Sequence, residues 1–196
     1  MRLYSSALSP FGRKVRACAV ARDIAAQVTV LPAMPAADPA ELLAANPLGK
    51  IPALVTVDGI AIYDSRVICE YLDTVGDAAP MFPEHGRARW RALIQQGLAD
   101  GIMDAAVLRR GESAQPDVRP ATMDRQRAKV ARGLAALEGD PPHQIVDIGV
   151  IAVACALGYL DLRFAHEPWR AAHPRLAAWF AEIAAHPWFA QTAAAA

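Results

Sequence analysis

The sequence predicts an α/β domain followed by an all-helical one, and three observations carry the prediction. A short extended segment, Leu3-Tyr4, runs directly into a helix start at Ser9-Pro10. Two apolar runs are joined by Asp58-Gly59, a dipeptide of tight hairpin turns. Beyond Gly86 the apolar residues recur at helical spacing between Pro, Gly and polar breaks, and no run reads as a strand.

Taken in order, Ser9 precedes Pro10 and the apolar residues Phe11, Val15 and Cys18, the pattern of a capped helix that fades near Asp23-Ile24. Gln27 to Leu31 is rich in β-branched residues and stops at Pro32, which predicts a second strand. Strand, crossover helix and strand make a right-handed parallel βαβ unit. Pro32, Pro35 and Pro39 then lead to a short helix, Ala40 to Ala45, stopped by Asn46-Pro47 and Gly49. Ile51 to Val57 and Ile60 to Tyr63 are the two strands of the hairpin. Asp64-Ser65 opens a helix that buries Ile68, Tyr71, Leu72 and Val75 and ends at Gly76. The order βαβ, α, ββα is the thioredoxin-like arrangement, a mixed four-stranded sheet with helices on both faces.

Pro80, Pro83 and Gly86 fall in a stretch without periodicity, so a linker at 78–86 is expected between a thioredoxin-like domain, 1–77, and a helical domain, 87–196. Helices are predicted from Arg87 to Arg110, Pro120 to Leu137, Asp147 to Phe164 and Pro174 to Ala185. Ile148 to Leu160 is apolar on every side and reads as the central helix of the bundle. The Ala-rich tail from Thr192 is expected to fray for want of anything to pack against.

Composition narrows the function classes. With 54% apolar residues in 196, the chain can bury a large core. Its 20 basic and 20 acidic side chains are interspersed, which gives no electrostatic case for nucleic acid or a membrane surface and points to a small-molecule partner. The 13 residues from Ile148 to Leu160 fall short of the roughly 20 that span a bilayer. Ser5, Ser6, Ser9 and Pro10 interrupt the N-terminus early, so no apolar targeting segment is expected. Cys18, Cys69 and Cys155 are spaced neither as a disulfide framework nor as a metal knuckle, which suits a reducing cytoplasm and a protein without metal.

Three stretches carry candidate chemistry. The helix start at Ser9 is favourable for an anion, since its first N–H groups are unpaired and its dipole is positive there. The bland reading is a simple cap. Thioredoxin-like domains usually carry Cys-x-x-Cys at this point, whereas here it is Ser9-Pro10-Phe11-Gly12, so any sulfur chemistry uses a thiol of the substrate. In the second stretch, Asn46 to Pro52, a cis Ile51-Pro52 bond would leave the backbone N–H and C=O of Ile51 free to pair with a peptide, while a trans bond would merely begin an edge strand. In the third, Asp64 and Ser65 stand at a helix N-terminus, either as caps or as holders of an ammonium and a carboxylate. Together they describe a peptide-like, zwitterionic ligand that carries a thiol.

The motifs Ser9-Pro10-x-x-Arg13-Lys14-Val15-Arg16, Asn46-Pro47-Leu48-Gly49-Lys50-Ile51-Pro52-Ala53-Leu54 and Tyr63-Asp64-Ser65-x-x-Ile68-x-x-Tyr71-Leu72 resemble those of the glutathione S-transferases. The resemblance extends through Ala99 to Ala105, Val146-Asp147-Ile148 and the closing His173-Pro174-Arg175-Leu176 and His186-Pro187-Trp188-Phe189, and is strongest to the small bacterial YibF-like branch. It implies that Ser9 hydrogen-bonds the glutathione sulfur, that Ile51 before Pro52 clamps the cysteinyl unit, and that Asp64 and Ser65 grip the γ-glutamyl end. It also implies a cytoplasmic homodimer with a role in detoxification, in which Asp100 or Asp104 reaches the partner's γ-glutamyl amine. Lys50 stands either before the glycine carboxylate or in solvent. Phe11, Met103, Val107 and Tyr159 are candidates for the walls of a second-substrate pocket, or for core. One departure from the family is Gln144, where Ser or Thr usually completes the cap of the buried helix; a weakened cap is expected, costing at most about 1 kcal/mol.

The expected function is therefore conjugation of glutathione, as co-substrate, to a small electrophile. Two alternatives remain open on the sequence: a glutathione-dependent peroxidase or lyase at the same site, and a non-catalytic binder of glutathione or an apolar ligand.

Overall fold

The first extended segment is the inner strand β1 (Arg2–Ser5), paired in parallel with β2 (Thr29–Pro32) and antiparallel with β3 (Ala53–Val55), while β4 (Ala61–Ile62) closes the order β2-β1-β3-β4. The structure is a computed structural model and describes residues 1–194. Helix α1 (Pro10–Ala21) makes the crossover from β1 to β2, and α2 (Ala40–Ala45) and α3 (Ser65–Val75) flank the hairpin strands. Alternation along β1 sends Leu3 and Tyr4 to opposite faces. Tyr4 joins Leu42 and Ala45 of α2 in one apolar cluster, whereas Leu3 turns to the other face, where α1 and α3 pack on each other. Helices thus cover both faces of a mixed four-stranded sheet, as the sequence predicts.

Three local expectations need correction. The second strand begins at Thr29 rather than Gln27, because Ala25–Gln27 closes a turn of 3-10 helix, and it runs on to include Pro32. Proline is tolerated there because β2 is an edge strand. The hairpin is shorter than predicted, and its turn is not the tight two-residue form. Thr56 closes a longer loop, donating its N–H to the Ile60 carbonyl at 2.9 Å and accepting the Ile60 N–H on its hydroxyl at 2.9 Å. Only Gly59 in that loop has positive φ, at 88°. On α3, Ile68 and Leu72 are buried as expected, while Tyr71 and Val75 lie half-buried at the margin of that face.

The described chain divides into two compact units, Met1–Glu84 with the chain from Pro187 onward, and His85–His186. The second unit holds α4 (Gly86–Glu112), α5 (Pro120–Gly139), α6 (Ile148–Arg163) and α7 (Pro174–Ile183). Every residue of α6 from Ile148 to Leu160 is buried; α4 packs along it and α5 along α4. The cap of α6 is intact despite Gln144: Asp147 Oδ1 accepts the Val150 N–H at 2.9 Å, and His143 Nε2 stands 3.2 Å from its other oxygen. Gln144 itself turns away to donate to Glu182 at 2.7 Å.

The helical domain expected over 87–196 and this second unit differ at the C-terminus. A short helix, α8 (Pro187–Ala190), packs on α1 of the first unit. Arg13 holds it, with its guanidinium 3.8 Å from the centre of the Phe189 ring and an N–H donated to the Phe189 carbonyl at 3.1 Å. The expectation of a frayed tail fails at its first residue, since Thr192 is 3% exposed and bonds the carbonyls of Trp188 and Phe189. Residues 195 and 196 of that tail lie outside the described residues.

Candidate functional site

Ser9 sits where the chain leaves β1 and enters α1. Its backbone is extended (φ −76°, ψ 121°), and its Oγ accepts the Gly12 N–H at 3.1 Å. Capping uses an oxygen lone pair and leaves the hydroxyl proton to be donated elsewhere; among the described residues it has no acceptor. Gly12 is required here by close approach, because a Cβ at that position would lie 1.9 Å from Ser5 Oγ. Phe11 is half-buried, and the fully buried Lys14 places its ammonium 5.9 Å from the Phe11 ring centre.

Asn46 organises the second stretch. It is 2% exposed, takes the Leu48 N–H on its side-chain oxygen at 3.1 Å and donates to the Lys50 carbonyl at 2.8 Å. Gly49 completes the loop with a φ of 61°. The Ile51–Pro52 bond is cis, as the sequence suggests, and the Ile51 backbone makes no hydrogen bond among the described residues. Lys50 is exposed.

In the third stretch Asp64 caps α3, accepting the Arg66 N–H at 2.9 Å, and Ser65 is 4% exposed. The Tyr63–Asp64 bond is also cis. Strand register brings the three stretches to one end of the sheet. Tyr4 pairs with Ala53, so the end of β1 that leads to Ser9 lies beside Pro52; Leu54 pairs with Ile62, so the chain entering Asp64 lies beside the start of β3. Ser9, Ile51 and Ser65 thus share the rim formed by the C-terminal ends of β1 and β4 and the N-terminal end of β3.

The remaining candidates belong to the second unit. Asp100 and Asp104 are one turn apart on α4, the first 2% exposed and the second open to solvent. Met103 is fully buried and packs in the interior of the bundle. Val107, 38% exposed, lines a cavity of about 520 Å³ with Leu108, Glu112 and Arg119. Arg119 holds the Glu112 carboxyl down to about 2 through hydrogen bonds from its side chain and backbone. Tyr159 on α6 is 6% exposed; burial pushes its phenol up, and Arg163 and Arg110 oppose that rise.

Sequence reasoning misses Asn46 as the organiser of the loop before Ile51, although its place between a helix end and Pro47 is a signal for an Asx turn. It also misses Arg163, whose i+4 spacing from Tyr159 is visible in the sequence. Among the described residues no group of three or more His, Cys, Asp or Glu could hold a metal ion, and no helix is long and apolar enough to cross a membrane.

Comparison with known proteins gives this geometry a context. A family model described as the N-terminal domain of glutathione S-transferase matches residues 8–75, and one for the C-terminal domain matches residues 120–182. The chain is 34% identical over 200 residues to the uncharacterized GST-like protein YibF of Escherichia coli (strain K12), covering 98% of each chain. It is similar to the structure of a glutathione transferase family member from Pseudomonas fluorescens Pf-5 with bound glutathione, at 42% identity and a TM-score of 0.94 over 100% of this chain and 99% of that one. A structure of a family member from the same organism with bound S-(propanoic acid)-glutathione matches at 42% identity and a TM-score of 0.87, covering 97% of each chain.

Proposed function

The chain belongs to the glutathione S-transferase family, and on that premise we propose that it joins the thiolate of glutathione to a small electrophile, with Ser9 as the donor that stabilises the sulfur. The observation that carries this reading is the Ser9 hydroxyl, which caps α1 through its oxygen and keeps its proton available beside the helix N-terminus. A thiol ordinarily ionises near pH ~8.5, and a donated hydrogen bond together with the helix dipole lowers that value. The thiolate lone pair then forms the new carbon–sulfur bond while the electrophile expels its leaving group, or takes a proton from water after addition.

The remaining assignments divide the peptide among fixed groups. Ile51, before Pro52, offers a backbone N–H and C=O to the cysteinyl unit; Asp64 and Ser65 take the γ-glutamyl end; Lys50 balances the glycine carboxylate. The S-(propanoic acid)-glutathione bound by the Pseudomonas relative is a thioether of glutathione, the bond that conjugation forms, which supports that reading. Phe11, Val107 and Tyr159 serve the second substrate, with Met103 as packing behind them. The working form is a cytoplasmic homodimer in which Asp100 or Asp104 reaches the partner's γ-glutamyl amine. Exposed apolar side chains, Trp90 at 64% and Ile94 at 67% on α4, support such an assembly.

Ser9→Ala tests the assignment. Removing the donor raises the thiol pKa of bound glutathione and barely alters its affinity, so the rate with an aryl halide falls at neutral pH and recovers in part as pH rises. Loss of a cap alone lowers stability by about 0.5–2 kcal/mol and leaves the pH–rate profile in place. An unchanged rate and profile in Ser9→Ala refutes the donor role.

A further inference from the structure

On the second unit, Arg163 stands one helical turn beyond Tyr159 on α6, and its guanidinium faces the Tyr159 hydroxyl. Its Nε is shielded from solvent and has no hydrogen-bond partner among the described residues. A shielded N–H of a charged group gains from an acceptor, and a ligand carboxylate is one that would supply it. Arg110, from α4, adds a second positive charge to the same phenol.

The neighbouring carboxylates do not neutralise this pair. Glu112 is held by Arg119 at 2.6 Å, Asp161 by Arg170 at 2.6 Å and the Trp169 indole at 2.9 Å, and Glu167 by Arg109 at 2.5 Å. Arg110 donates only to Ser113 Oγ, at 3.3 Å, and neither it nor Arg163 has an ion-pair partner among the described residues. Arg163 beside the phenol, and Arg110 acting on it through space, therefore leave a local excess of positive charge, in a chain whose formal net charge is zero. A planar fork of N–H donors matches a carboxylate, which it binds through two parallel hydrogen bonds.

We propose that Arg163, with Tyr159 and Arg110, forms a carboxylate-recognition site, and that the preferred electrophiles of this protein are small organic acids. The second half rests on the reading above that Tyr159 serves the second substrate. Arg163 supplies orientation and specificity, and Ser9 remains the group that acts on the sulfur. With 3-bromopropanoate as electrophile, the glutathione thiolate displaces bromide: a carbon–sulfur bond forms, the carbon–bromine bond breaks, and bromide leaves with its electron pair.

Two measurements separate the site from the chemistry. In the first, propanoate is titrated into the protein without glutathione and binding is followed by calorimetry. Wild type binds, Arg163→Met weakens binding about 10- to 100-fold, as expected for losing a hydrogen-bonded charge, and Arg163→Lys recovers part of the loss. Tyr159→Phe gives a smaller loss and keeps the test valid if Arg163→Met does not fold. Absent binding in wild type, or equal binding in wild type and Arg163→Met, overturns the site. In the second, the ratio of kcat/KM for 3-bromopropanoate to that for the neutral 3-bromopropanamide is compared. Arg163→Met lowers this ratio by about 10-fold or more, and an unchanged ratio overturns the substrate class. If wild type conjugates neither compound yet binds propanoate, the conjugation reading fails while the anion site stands; the claim about electrophiles falls with that reading.

Discussion

At the scale of single residues, Glu112 gives the clearest dependence on pH. Hydrogen bonds from Arg119 hold its carboxyl at about 2 in the folded protein, against 4.5 ordinarily. Between those values the unfolded chain binds the extra proton, so the stabilisation by this pair is complete above pH 4.5 and is lost as pH falls through 2. Melting temperatures recorded from neutral pH down to about 2 should fall less steeply for Glu112→Gln than for wild type; parallel curves would assign the acid sensitivity to other groups. Residues differ in how openly the sequence announces them. Ser9, Asp64 and Pro52 are legible because a hydroxyl before Pro, an acid before a periodic run and a Pro at a strand start each carry a local geometric meaning. Arg163 is hidden because an arginine near a helix end reads as a solvated charge until its Nε is found shielded from solvent with no acceptor among the described residues.

Elements are legible where the residues at their ends or an unbroken period mark them. The helices at Ala40–Ala45 and Ser65–Val75 fall where Pro39, Asn46, Asp64 and Gly76 punctuate the chain, and the buried α6 is announced by its unbroken apolar run. The hairpin misleads because Asp58-Gly59 has the composition of a tight turn, while the Thr56 hydroxyl, reaching to the Ile60 N–H, fixes a wider one. At α6 the contribution of the cap can be measured. Asp147→Ala removes the acceptor for the Val150 N–H and should cost about 0.5–2 kcal/mol in denaturant unfolding. A cost near zero would mean that the packing of α6 alone sets where it begins.

For the whole molecule, the prediction concerns assembly. A two-fold dimer is expected in solution, and light scattering at micromolar concentration should return twice the mass of 20.9 kDa. A monomer that binds glutathione fully would remove Asp100 and Asp104 from the site. The α/β and helical halves are legible because the hydrophobic period changes at the linker. The return of α8 to α1 is not, because four residues are too few to show a period and the partner of Phe189, Arg13, lies 176 positions earlier. That return has a consequence for how the chain is made. Translation delivers Arg13 ahead of Phe189 by those 176 positions, and at about 5–20 residues per second the interval is roughly 9 to 35 s. For much of it, the helix capped by Ser9 is exposed without the segment that covers it, so a nascent chain stalled before Pro187 presents this flank of α1 to chaperones and proteases.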